Sequence, residues 1–208
     1  THLSLHKEKE LLAEVSENSE GHAEIFAKLL QDVLQNQSTN TIKKILLCIG
    51  PGSFTGIRSS LASVLGLSLG TSAEVFGISS HLARSVEQIE ANCLLIPQLK
   101  LNKEETSYCF LAFDADQNLE FTSELFLSKD KDLEEAIENK KQELNLDYQK
   151  EKSFDIGLDQ IDSPSTMLAK SFLNIKNLES SVHFQKKELN PLYLKEVNAK
   201  TLKERGLT

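Results

Sequence analysis

The stretch Gly50-Pro51-Gly52-Ser53-Phe54-Thr55-Gly56 lies between a short apolar run and a longer run with helical spacing. Residues 44–49, before it, have the composition of a buried strand, and residues 57–70, after it, carry apolar side chains at helical intervals. Because glycine adopts backbone conformations that other residues avoid, the three glycines mark a tight strand-to-helix turn. The stretch therefore predicts a strand-loop-helix unit of an α/β fold.

A glycine loop before a helix can also bind phosphate, because backbone N–H groups and the helix dipole face an anion there. This loop departs from both common nucleotide patterns. A P-loop needs Lys and then Ser or Thr where this chain has Ile57 and Arg58, and the dinucleotide pattern started at Gly50 needs glycine in place of Thr55. An independent nucleotide-binding enzyme that uses this loop stays open as the alternative to a structural turn.

The helix predicted after the loop has two different faces. Its large apolar residues are expected to pack on the protein's own sheet, and they are Ile57, Leu61, Val64, Leu65 and Leu69. Its small residues lie almost opposite, and they are Ser59, Ser63, Gly66 and Gly70. Small side chains let another helix approach closely. We therefore predict that the small face binds a partner, with packing inside one domain as the alternative.

A second helix, predicted over residues 22–36, has more apolar surface than a domain core needs. Its apolar side chains cover roughly 200° of the circumference, about twice the arc that an ordinary surface helix buries. The residues that we expect to bind a partner are His22, Ile25, Phe26, Leu29, Leu30 and Val33. An excess apolar arc with charged residues on the remaining face favours a protein interface.

Three segments together resemble, in order and spacing, the TsaB (YeaZ) family. They are the helix that begins at His22, the run from Gly50 to Arg58, and Val75-Phe76-Gly77-Ile78-Ser79-Ser80. The resemblance covers about the first 90 residues, and more loosely Asn190-Pro191-Leu192-Tyr193-Leu194-Lys195. It implies an α/β fold of the actin/Hsp70-like (ASKHA) type, a mixed sheet with helices, followed by a smaller and divergent α+β subdomain.

The resemblance also implies a function. TsaB proteins are non-catalytic subunits in the formation of threonylcarbamoyladenosine in the anticodon loop of bacterial tRNA. They pair with a catalytic paralogue, TsaD, through helices equivalent to residues 22–37 and 55–70, and an ATPase, TsaE, joins them. We therefore expect a cytoplasmic pseudoenzyme without a cofactor, and contact with tRNA only through partners. A homodimer through the same helices is compatible with this prediction.

The loop itself is then expected to be structural rather than catalytic. Its residues in this role are Gly50, Pro51, Gly52, Ser53, Phe54, Thr55, Gly56 and Arg58. In the catalytic paralogue a metal is held by two histidines four residues apart, and the resemblance places Ser80 and Arg84 at those positions. Neither side chain can replace an imidazole ligand, and the neighbouring His81 has no histidine four residues later. We expect no metal site.

Composition limits the remaining classes. The net charge is −8, which opposes tight independent binding to a nucleic-acid backbone. No stretch approaches the roughly 20 apolar residues of a membrane-spanning helix. The three cysteines, Cys48, Cys93 and Cys109, lie in apolar runs without C-x-x-C spacing, so we expect buried thiols in a reducing compartment.

Alternating patterns along the chain predict two units, residues 1–100 with the partner-binding helices and residues 101–208, whose end is expected to pack back on the first. Predicted strands cover 3–6, 10–15, 43–49, 74–78, 92–97, 107–114 and 119–127, and predicted helices 22–36, 55–69, 80–90, 131–145 and 164–173. Residues 107–127 are predicted to form a hairpin. Because TsaB proteins open with a further strand, the resemblance implies a segment before Thr1 that this sequence lacks.

Overall fold

The computed structural model describes residues 1–17, 22–34, 37–156, 163–186 and 188–194. The unit predicted around the glycine loop is present, with its strand ending at Cys48 and its helix beginning at Phe54. The first part of the chain contains β1 (His2–Lys7), β2 (Glu10–Ser16), α1 (His22–Leu34), β3 (Lys44–Cys48), α2 (Phe54–Thr71), β4 (Glu74–Ile78) and α3 (Ser80–Ser85).

The remaining elements alternate less regularly. They are β5 (Cys93–Lys100), β6 (Glu105–Tyr108), β7 (Leu111–Phe113), β8 (Leu119–Thr122), β9 (Phe126–Lys129), α4 (Leu133–Glu143), β10 (Lys150–Asp155), α5 (Pro164–Asn174) and β11 (Phe184–Lys186). Two predictions were wrong in detail. The helix expected over 80–90 ends at Ser85 and continues as a 3₁₀ turn, and the sequence patterns missed β10 and β11.

The described strands form three sheets. Strands β1 and β2 pair antiparallel, and β3 pairs in parallel with β4, to which β11 adds antiparallel. In the third sheet β5 is central, with β10 parallel on one side and with β6 and β7 antiparallel on the other. This mixture of parallel and antiparallel strands with helices confirms the predicted α/β class.

The hairpin predicted over residues 107–127 is present, but each of its strands is interrupted. Strand β7 pairs with β8 and β6 pairs with β9, both antiparallel. Between the two pairs, Phe110 and Ser123 bond through their backbones, and the Ser123 hydroxyl accepts from the Phe110 N–H at 2.9 Å. The Ser123 side chain thus holds the two halves of the hairpin together across the irregularity.

The chain changes from one sheet to another between β4 and β5. Strand β5 is the central strand of the third sheet and has no pairing with β3 or β4 among the described residues. The change of sheet therefore falls between Ile78 and Cys93. The division of the chain into two folding units stays a prediction.

The end of the described chain returns to the first unit. Strand β11 pairs with β4, and beyond it the Leu192 N–H donates to the Ile49 carbonyl at 2.8 Å. Leu189 and Leu192 also pack on the apolar cluster around β3. The glycine loop is therefore built from two stretches of chain that are far apart in sequence.

Of the three thiols expected to be buried, Cys93 and Cys109 are, whereas Cys48 is exposed. Cys48 is the last residue of β3, where the alternating directions of a strand turn its side chain away from the core that Leu47 enters. Its Sγ lies 3.2 Å from the Ser80 hydroxyl.

Candidate partner-binding site

The glycine loop is a fixed turn between β3 and α2. The Gly50–Pro51 peptide is cis, and Gly50 has a φ of +103°, in the region that favours glycine. A Cβ atom there would lie 2.9 Å from Ile57 Cδ1 and 3.0 Å from the Leu192 carbonyl oxygen. Another residue at position 50 would thus be strained in its backbone and would displace the returning chain.

The carbonyl groups of the loop are held by neighbouring elements. Besides the bond from Leu192 to Ile49, the Ser80 N–H donates to the Gly50 carbonyl at 2.8 Å. The Ser80 hydroxyl donates to the Pro51 carbonyl at 2.9 Å. The first turn of α3 and the end of the described chain therefore fix the loop from two sides.

Helix α2 begins directly after this turn. The Ser53 hydroxyl accepts from the Gly56 N–H at 3.3 Å and caps the helix. Within its 18 residues α2 carries one charged side chain, Arg58. The loop and the cap therefore direct an almost uncharged helix along the surface.

The exposed face of α2 differs from the prediction. Ile57 and Val64 are buried and Leu61 is half-buried, as expected, but Leu65 is 41% exposed and Leu69 is 88% exposed. At 3.6 residues per turn, these two leucines lie about 90° and 130° around the helix from the line of Ile57 and Val64. The predicted large face is thus too wide for the core to cover, and its outer edge faces solvent.

The predicted small face of α2 is divided in the same way. Ser59 and Ser63 are half-buried, whereas Gly66 and Gly70 are exposed. A Cβ atom added to either glycine would meet nothing within 4 Å. Close packing against the described residues therefore does not account for the glycines, and their place in a partner interface stays a prediction.

Most of the large apolar side chains of α1 pack inside the chain. Phe26, Leu29 and Val33 are buried, and Phe26 belongs to a core cluster with Leu47 and Val64. The three side chains are buried because α1 packs against α2, β1 and β2 together. Their predicted role as partner contacts stays a prediction. Ile25 and Leu30 are half-buried. The prediction for the His22 side chain lies outside the described residues.

An aromatic and cationic cluster lies at the start of α2. The guanidinium carbon of Arg58 is 4.0 Å from the ring centroid of Phe54 and 5.8 Å from that of Tyr193. Arg58 Nε donates to the Tyr193 hydroxyl at 3.1 Å, and the two rings are 5.0 Å apart. We predicted Phe54 and Arg58 as parts of a structural loop. The sequence patterns did not predict their contact with Tyr193, which follows Arg58 by 135 residues.

The two positions at which the resemblance places the metal ligands of the catalytic paralogue have other contacts. Ser80 fastens the glycine loop, and Arg84 Nη1 donates to the Ile156 carbonyl at 2.6 Å. In the described part of the chain, no cluster of three or more His, Cys, Asp or Glu side chains is arranged to hold a metal.

Two buried histidines form hydrogen bonds to backbone carbonyls in the hairpin over residues 107–127. His81 Nε2, on α3, lies 3.2 Å from the Ser107 carbonyl, and His183 Nε2 lies 2.9 Å from the Ser123 carbonyl. Because a carbonyl only accepts, each Nε2 carries the proton and leaves Nδ1 as a buried acceptor that has no partner among the described residues. Burial lowers the pKa of His81 to about 3 and that of His183 to about 4.

A cavity of about 870 Å³ lies away from the glycine loop. Its walls include Lys44 and Glu74, at the beginning of β3 and β4, and the rings of Phe76 and Phe172. The glycine loop follows the opposite, carboxyl end of β3, where open α/β sheets bind their ligands. The cavity therefore does not extend the loop into a nucleotide pocket.

The comparison with known families covers the region just described. Residues 11–100, which contain α1, the glycine loop and α2, match the profile of TsaD, the tRNA N6-adenosine threonylcarbamoyltransferase. This part of the chain is similar to the TsaD family. The match confirms the family resemblance predicted from the sequence and implies an actin-like fold for this region.

Two solved structures from Pseudomonas aeruginosa also resemble the chain. YeaZ shares 18% identity with a TM-score of 0.48, over 61% of this chain and 60% of that one. An uncharacterized protein with similarity to peptidase YeaZ shares 18% identity with a TM-score of 0.49, over the same fractions. The chain thus spans about 60% of the length of each structure. No curated protein sequence matches it.

Proposed function

We propose that this chain is a non-catalytic subunit that pairs with a catalytic TsaD-family protein in the threonylcarbamoylation of an anticodon-loop adenosine in tRNA. A TsaE-like ATPase joins the pair, and tRNA contacts the chain mainly through these partners. The observation that carries the proposal is the TsaD-family match over residues 11–100 together with the exposed apolar edge of α2 in the same region.

Leu69 is an exposed apolar side chain on α2. A leucine that is 88% exposed on a helix gains nothing from the fold of its own chain, and Leu65 one turn before it is 41% exposed. Exposed apolar patches of this kind mark protein interfaces. The half-buried Ser63 and the open surface at Gly66 would let a second helix approach α2 closely.

One further observation supports a non-catalytic role. The positions that hold the metal in the catalytic paralogue are occupied by Ser80 and Arg84, and both side chains are engaged in hydrogen bonds to backbone carbonyls. None of the described helices is long and apolar enough to cross a bilayer.

The test is co-purification with the TsaD-family protein of the same cell. Leu69→Glu should abolish pairing, because it places a charge in an apolar contact, while leaving the unfolding midpoint within a degree or two of the wild type. Leu173→Glu is the matched control, since Leu173 is a 39% exposed leucine on α5 and should leave pairing unchanged.

The proposal fails if the wild-type chain does not bind the TsaD-family protein, or if Leu69→Glu binds as well as the wild type. Titration calorimetry of the isolated chain with ATP and Mg²⁺ tests the alternative. Micromolar binding that is lost on Gly52→Val would favour an independent nucleotide-binding enzyme.

A further inference from the structure

Arg58 is held in one orientation on the surface of α2. Its guanidinium lies over the Phe54 ring, and its Nε donates to the Tyr193 hydroxyl. Stacking and this hydrogen bond use one face and one N–H of the group, and the terminal nitrogens Nη1 and Nη2 have no hydrogen bond in the described chain. The fork of terminal N–H groups is thus oriented and available.

No carboxylate of the described residues pairs with Arg58, which is unexpected in an acidic chain. The sequence has 31 Asp and Glu residues against 23 Lys and Arg. Several surface lysines, such as Lys28 and Lys100, form an ion pair with an acidic side chain. Among the described residues, Arg58 has no such acid within ion-pair distance. An exposed cation that is held by aromatic rings, and that has no counter-charge among the described residues, is suited to bind an anion from another molecule.

An apolar ridge continues from Arg58 along the same side of α2. We define this ridge as Arg58, Ala62, Leu65 and Leu69, at intervals of four, three and four residues. All four are exposed. The helix carries no acidic side chain, so nothing on α2 competes for the cation. The ridge therefore presents a charged end followed by two turns of apolar surface.

We propose that Arg58 is the charged anchor of the partner-binding surface and binds a carboxylate of an Asp or Glu side chain on the catalytic TsaD-family partner. Its fork matches a carboxylate in a two-bond contact while Leu65 and Leu69 pack on apolar side chains next to it. This inference rests on the proposed function and adds the residue that determines specificity for the partner.

A protein carboxylate fits this surface better than an RNA phosphate. Leu65 and Leu69 continue the ridge with apolar side chains, whereas a surface that follows a phosphate backbone needs further cations. The chain as a whole carries a net charge of −8, which repels a polyanion.

Tyr193 is a positioning residue in this arrangement. It reaches Arg58 because Leu192, the preceding residue, is bonded to the Ile49 carbonyl at the start of the glycine loop. The returning chain therefore fixes the orientation of the cation on α2. The start of the glycine loop therefore anchors the segment that orients Arg58, in addition to directing α2.

The test measures the dissociation constant of the full chain for the TsaD-family protein at low and high salt. Arg58→Met keeps an apolar contact with Phe54 but removes the charge, and it should weaken binding about 10-fold to 100-fold and reduce the salt dependence. Arg58→Lys should not restore full affinity, because lysine lacks the planar fork. Tyr193→Phe should weaken binding about twofold to tenfold.

The matched control is Lys103→Met, which removes one exposed charge from the loop between β5 and β6 and should leave the affinity unchanged. Reversing the charge with Arg58→Glu and then replacing single Asp or Glu residues of the partner by Lys should restore binding at one position. Unfolding curves of each variant identify any loss that arises from misfolding.

The outcomes separate the inference from the proposed function. If Leu69→Glu abolishes pairing while Arg58→Met and Arg58→Lys bind like the wild type, the inference is wrong and the proposed function stands. If the wild type does not bind the TsaD-family protein, both are wrong. If Arg58→Met weakens binding of tRNA to the isolated chain but not binding of the protein, the anion is a phosphate and the inference is overturned.

Discussion

Helices α1 and α2 both have more apolar surface than an ordinary surface helix, yet their apolar side chains have different fates. On α1, Phe26, Leu29 and Val33 are buried inside the chain, whereas on α2 Leu65 and Leu69 face solvent. Helix α1 packs against α2 and both strands of the first hairpin, so neighbours cover it on several sides. A wide apolar arc therefore indicates that a helix packs against neighbours on two sides. It does not indicate whether the second neighbour belongs to the same chain.

The largest expected effect is on stability and comes from α1. Phe26→Ala should lower the free energy of unfolding by about 3–5 kcal/mol, because it opens a cavity in the cluster around Leu47 and Val64. Leu69→Ala on α2 should change it by less than about 0.5 kcal/mol, since the side chain is already solvated. Urea unfolding of both variants measures the difference. Equal losses would remove the distinction between the two helices.

Acid should destabilise the interior of the fold, where two neutral histidines are buried, and should leave the α2 ridge unchanged. His81 and His183 are neutral in the fold, with pKa values lowered to about 3 and about 4, while an unfolded histidine has a pKa near 6.5. Their contribution is therefore fully present above about pH 6.5. It falls as the pH drops toward the folded values, because the unfolded chain then binds protons that the fold cannot accept.

The two histidines together should cost about 2–3 kcal/mol of stability between pH 7.5 and pH 5.5. Unfolding curves at a series of pH values measure this, and the double variant His81→Gln, His183→Gln should show a shallower dependence. A wild-type stability that stays constant down to pH 5 would contradict the burial of neutral imidazoles. So would a double variant with an unchanged slope.

The smallest effect on stability should accompany a change in assembly. The pair Leu65→Ser and Leu69→Ser should leave the free energy of unfolding within about 0.5 kcal/mol of the wild type. The isolated wild-type chain should self-associate through the exposed leucines, and the double variant should sediment as a monomer at concentrations where the wild type does not. Leu173→Ser on α5 provides the control, with no change in sedimentation.

Local patterns were sufficient for the unit around the glycine loop. The apolar run before Gly50, the three glycines and the helical spacing after them predicted β3, the turn and α2 nearly to the residue. They failed for β10, because its charged sequence from Lys150 to Asp155 lies at the edge of the third sheet and carries no alternating apolar signal. They also did not predict how the strands pair, since no local pattern specifies which strand lies beside which.

Sequence patterns alone predicted the α/β class, the family resemblance of about the first 90 residues and the tight turn at the three glycines. These follow from short-range spacing and from backbone conformations that neighbouring residues impose. Only the tertiary structure decided which apolar side chains stay exposed, and that Tyr193 meets Arg58 on α2. The physical reason is that burial and long-range contacts depend on which surfaces the folded chain brings together, and the periodicity of one helix does not contain that information.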